Sequence, residues 1–148
     1  MLASQVLSQR FFDELRTKQQ LGYIVNASAH GDRHGFVGLR FIVQSERAPH
    51  EVVARIRSWV EEACTFLRDD LAEAEFAEYR AALVSMLLER PRSLNEEFGR
   101  NWAEVASRGF SFGERAAQAA YINGLELNDL RRFAEESLSV SPACCILV

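Results

Sequence analysis

Apolar side chains recur along this chain at two spacings, and each change of spacing marks a new element. Within residues 3–19, Val6, Leu7, Phe11, Phe12 and Leu15 fall at helical intervals, which predicts a helix with one buried face and leaves Asp13, Glu14 and Arg16 off it. Residues 21–29 and 35–45 read as strands. In the second, Val37, Leu39, Phe41 and Val43 share one face and Gly38, Arg40 and Gln44 the other, so one face is buried and the other meets a cavity or water. Between them lies the polar, glycine-containing stretch His30-Gly31-Asp32-Arg33-His34, which predicts an antiparallel hairpin. A one-residue slip in register exchanges the two faces, so the pattern leaves open which side carries Tyr23.

Helical spacing dominates the remainder. Pro49, whose missing N–H costs nothing at a helix start, introduces a helix to about Leu67 with Val52, Val53, Ile56, Trp59, Val60, Ala63, Phe66 and Leu67 inward. A second helix, about Leu71 to Glu89, carries Phe76, Tyr79, Leu83, Met86 and Leu87 and ends at Pro91. Ser93-Leu94-Asn95-Glu96 has capping-box form and opens a helix through Phe98, Trp102, Val105 and Ala106 that Gly109 stops. A short helix spans about Gly113 to Ile122, and Asn128 is placed to cap a last one bearing Leu130, Phe133, Ala134 and Leu138. After Pro142, the apolar run Ala143 to Val148 reads as a final strand. The expected fold is therefore α+β: a two-layer sandwich in which the hairpin joins the 143–148 strand in a mainly antiparallel sheet with helices packed on one face.

At 148 residues, 48% hydrophobic and 26% charged, the chain can bury one core, and a single domain over 1–148 is expected. A net charge of −4 gives no basic footprint for nucleic acid. No apolar run approaches the roughly 20 residues that span a bilayer, and no signal-peptide pattern opens the chain. Three cysteines without framework spacing fit a reducing compartment, so a soluble, cytoplasmic protein is expected.

Chemistry is sparse by composition. His30 and His34 stand four apart as in inverted zinc motifs of the form H-x-x-E-H, but Arg33 occupies the glutamate position and Gly31 and Asp32 break the helix that would align them. A solvated turn is the preferred reading, and no metal site is assigned. His50 has no sequence partner. Adjacent Cys144 and Cys145 would point to opposite faces of a strand. Glu61, Glu62, Glu73, Glu75 and Glu78 fall on polar helical positions and read as a solvated surface. By residue type alone, Arg16 suits a helix C-terminus and Tyr23 suits a strand.

Two segments change this picture. Leu15 to Val25, LRTKQQLGYIV, and Gly38 to Ser45, GLRFIVQS, closely resemble the last of the four homologous domains of insulysin-like zinc metallopeptidases, the pitrilysin family. The resemblance implies an incomplete α/β roll, an excerpt of that last domain with an unpaired sheet edge through which copies would self-associate. It also implies that Arg16 and Tyr23 reach the active site from the C-terminal half, holding substrate backbone and the oxyanion of the tetrahedral intermediate. The implied partners are an N-terminal catalytic half of the same polypeptide, which would carry the zinc, and a peptide substrate. The zinc motif and general base are absent from this sequence, so the chain by itself is expected neither to hold zinc nor to cleave peptides. The alternative is a non-catalytic structural or dimerisation module of a larger protein.

Overall fold

The computed structural model describes residues 1–31, 37–107 and 109–138. Helix α1 (Leu2–Phe12) runs directly into a π-helical turn at Asp13–Lys18. Strands β1 (Ile24–Gly31) and β2 (Val37–Gln44) follow as an antiparallel hairpin, and then come α2 (Pro49–Thr65, extended by a π-helical turn at Phe66–Asp70), α3 (Glu73–Leu88), α4 (Leu94–Ser107), α5 (Glu114–Asn123) and α6 (Leu127–Phe133, extended at Ala134–Leu138). This is the α+β arrangement expected. The predicted strand at 143–148, with Cys144 and Cys145, lies outside the described residues, as does His34.

The hairpin register pairs Val25 with Val43, Ala27 with Phe41 and Ala29 with Leu39. Val25 and Ala27 are buried, and Leu39, Phe41 and Val43 pack beside them against the core. Ile24, Asn26, Arg40 and Ile42, on the other face, are exposed. Among the described residues, helices thus cover one face only. Val37, expected inward, is exposed, at the last pair of the ladder opposite Gly31, where β1 ends and β2 begins.

Phe11 of α1 is the centre of the contact between sheet and helices. Its ring lies 5.2 Å from Phe41 of β2 and 4.8 Å from Trp59 of α2, edge-on to the indole. Edge-to-face contacts of this kind add about 0.5–1.5 kcal/mol beyond area burial. Helix α1 also touches α3, and α5 packs along α3, where Arg115 donates to the last carbonyls of that helix, Leu87 (3.1 Å) and Met86 (2.9 Å). Met86 itself, expected inward, is exposed. Helix α6 closes against the end of α2, with the Cys64 thiol donating to the Ala134 carbonyl at 3.3 Å. Its cap is Glu126 rather than Asn128: Glu126 and Asp129 exchange side-chain and backbone hydrogen bonds, so the helix begins two residues earlier than an Asn128 cap would set it, at Leu127. No helix among the described residues is long and apolar enough to cross a membrane.

Candidate functional site

The junction between α1 and β1 positions the two residues singled out by the sequence. The π-helical turn widens the last turn of the first helix, so that the Gln19 amide reaches back to Glu14 O (2.9 Å) and the Leu21 amide to Leu15 O (2.8 Å). Such wide turns gather at functional sites. Leu15 keeps its place in the core at 0% exposure while the next residue, Arg16, is turned towards the strand. Gln20 then reverses the chain in the left-handed region, φ 48°, a conformation that costs a residue with a Cβ roughly 1–2 kcal/mol. Within the turn, a hydrogen bond from Lys18, followed by one from the Gln19 amide group, holds the Glu14 carboxyl below the usual glutamate range.

Three interactions fix the segment after the reversal. The Tyr23 amide donates to Gln44 O at 2.9 Å, the Ser45 hydroxyl donates to Leu21 O, and Arg16 Nη1 donates to Gly22 O at 3.1 Å. Gly22 itself presses against the end of β2. A Cβ built there would stand 2.1 Å from Gln44 O and 2.8 Å from Gln44 C, so only glycine permits this approach.

The result is an exposed phenol over a tethered guanidinium. Arg16 Cζ lies 5.2 Å from the centre of the Tyr23 ring, within cation–π distance, and Tyr23 is 79% exposed. The Tyr23 hydroxyl and the remaining Arg16 N–H groups have no partner among the described residues. Tyr23 does not fill the sheet, as a strand tyrosine would on composition alone. It precedes the first paired residue, Ile24, and its ring points outward. Arg40 belongs elsewhere, exposed opposite Ser28 in the ladder rather than at the Gln44 end beside Tyr23.

Sequence reading missed a neighbouring feature, a notch of about 180 Å³ lined by Gln19, Leu21, Arg47 and Arg55. The two arginines flank Pro49 at polar positions, and only the tertiary fold brings them beside the motif. Arg47 is paired with Glu51 at 2.9 Å. The two described histidines stand apart in the chain's architecture: His30 is an exposed β1 residue paired with Gly38, and His50 is exposed at the start of α2. Among the described residues no three His, Cys, Asp or Glu side chains converge as metal ligands, so these residues do not fit a zinc site.

The family described as PQQ synthase PqqF-like, C-terminal lobe domain 4, matches residues 2–102, and the chain belongs to that family. It is similar to the insulin-degrading enzyme of Mus musculus, 35% identical over 142 residues, covering 94% of this chain and 13% of that protein. The A-factor-processing enzyme of Saccharomyces cerevisiae is 31% identical over 90% of this chain and 13% of its own length, and the putative zinc protease mug138 of Schizosaccharomyces pombe is 29% identical over 89% and 13%. The crystal structure of pitrilysin superposes with a TM-score of 0.77 at 28% identity, covering 90% of this chain and 14% of that one. The chain therefore spans only about 13% of the length of these curated relatives.

Proposed function

We propose that this chain is the non-zinc-binding C-terminal domain of a zinc metalloendopeptidase, enclosing peptide substrate against an N-terminal half of the same polypeptide and contributing Arg16 and Tyr23 to the shared active site. The observation that carries the reading is the pairing of two unspent donors at one exposed point: the phenol of Tyr23 and the guanidinium of Arg16, held 5.2 Å apart by backbone contacts that leave both free to donate outward. Preorganised donors aimed at developing negative charge lower a barrier because they need no reorganisation when the charge appears. In this role the Tyr23 O–H donates to the oxyanion of the tetrahedral intermediate. Arg16, anchored through one nitrogen to Gly22 O, directs its other N–H groups to substrate carbonyls in the forked geometry peculiar to guanidinium. Zinc is assigned to the N-terminal half, where it would polarise the scissile carbonyl and activate water.

The competing reading is a structural or dimerisation module, and reconstitution separates the two. Mixing this chain with the N-terminal half of its parent polypeptide is expected to yield peptide cleavage that neither part gives alone. Arg16→Ala should still associate with that half but lose most cleavage, and Arg16→Lys should recover only part. Full cleavage with Arg16→Ala would favour the structural module.

A further inference from the structure

Helix α4 is amphipathic, yet it sits on the molecule the wrong way round for a helix of a closed core. Its half-buried residues are Glu96, Arg100 and Glu104, one turn apart on the polar side. Arg100 donates to Glu89 O at the end of α3 (2.9 Å) and also pairs with Glu96, tethering that side to the body. The apolar stripe faces outward: Leu94 is 82% exposed, Phe98 61%, Trp102 56% and Val105 37%. No residue of α4 is buried. Phe98 and Trp102 stack on each other 6.0 Å apart and nearly parallel, a rigid aromatic pair of the kind enriched at the centres of protein interfaces.

The charges beside the stripe decide among occupants. At 100° per residue, Glu97 and Glu104 both fall along one edge of the stripe, and Arg100, the helix's one cation, lies about 40° beyond Glu104 on that same flank, committed to Glu96 and to the Glu89 carbonyl. A second copy laid antiparallel on the stripe would bring this acidic edge against its own symmetry mate, glutamate against glutamate. A membrane surface requires lysine or arginine along such an edge. We propose that the outward face of α4 is the docking surface for a polypeptide segment of another chain or domain, an apolar stripe bordered by lysine or arginine. This proposal does not depend on the roles given to Arg16 and Tyr23.

Tryptophan fluorescence of the whole 148-residue chain tests it, because Trp102 is exposed and Trp59, at 5% exposure, is already buried. The probes are two synthetic amphipathic peptides with the same leucine stripe, one bordered by lysine and the other by glutamate. The lysine-bordered peptide should shift emission to the blue and shield Trp102 from iodide, binding about tenfold or more tighter than the glutamate-bordered one, the fold-change of two surface ion pairs replaced by two repulsions. Glu97→Lys with Glu104→Lys should reverse the preference, and Phe98→Ala, a surface change that keeps the Trp102 reporter, should weaken binding about tenfold or more while circular dichroism stays unchanged. Equal binding of both peptides, binding of neither, or a free chain that sedimentation shows to be a dimer dissolved by Trp102→Ala would each overturn the proposal. So would a blue shift on anionic vesicles matching that on the peptide.

Discussion

Gly22→Ala is expected to damage the candidate site without touching either of its functional side chains. The added Cβ would lie 2.1 Å from Gln44 O, 2.8 Å from Gln44 C and 3.1 Å from Val43 Cγ1. Carbon and oxygen tolerate about 3.3 Å, so the two backbone segments must part by roughly 1 Å, and both are held by the core. That parting breaks the 2.9 Å bond from the Tyr23 amide to Gln44 O and loosens the tether from Arg16 to Gly22 O. One lost backbone hydrogen bond costs about 0.5–1.5 kcal/mol, and overpacking against fixed backbone typically adds about 1–3 kcal/mol. A total near 2–3 kcal/mol lowers the midpoint of thermal unfolding by roughly 5–10 °C for a chain of this size. Circular dichroism melts of the two proteins measure it, with Gly99→Ala as the control of opposite sign. Gly99 lies inside α4 with nothing within 4 Å of an added Cβ, so alanine there should raise the helicity of α4, by about 0.8–1.0 kcal/mol of propensity. A Gly22→Ala protein that melted with the wild type, with the Tyr23 amide equally protected from hydrogen exchange, would refute the reasoning.

Two further outcomes test the packing and the electrostatics. Phe11→Ala, which empties the ring site shared with Phe41 and Trp59, should cost about 3–5 kcal/mol in denaturant unfolding, whereas Phe12→Ala, at an exposed neighbour, should cost less than about 1 kcal/mol. The Glu14 carboxyl is held low chiefly by its hydrogen bond from Lys18, so its contribution to stability is present above the unfolded glutamate pKa and is lost as pH falls through the lower folded value. Glu14→Gln should accordingly narrow the stability gap to wild type on acidification, and a gap that widened in acid would contradict that assignment.

The helices were legible because each buries one face, and the 3.6-residue repeat reports a face whatever covers it. Phe76, Leu83 and Leu87 of α3 and Trp59 and Leu67 of α2 all point inward as the spacing required. The same logic explains what the pattern could not convey. In α4 the repeat of Leu94, Phe98, Trp102 and Val105 identifies a stripe but not its direction, which is set by the Arg100 bond to the end of α3. The π-helical turns left no mark because Leu15 and Leu67 stay buried at 0% through the extra residue per turn. Register hid the direction of Tyr23, since the faces were known only as alternatives until Val25 was seen opposite Val43. Arg16 and Tyr23 stood out through the LRTKQQLGYIV wording, and their meeting depends on the Gln20 reversal and the close approach at Gly22, features of backbone that no side-chain pattern encodes.

Tyr23→Phe in the full-length parent protein tests the central proposal most directly, because it removes one exposed hydroxyl and nothing that packs. Loss of an oxyanion donor typically lowers turnover by about 10² to 10³. The expected result is a fall of that size in kcat on peptides of several lengths, with zinc content and thermal unfolding unchanged. Wild-type turnover in Tyr23→Phe would contradict the account and leave this domain with a structural role alone.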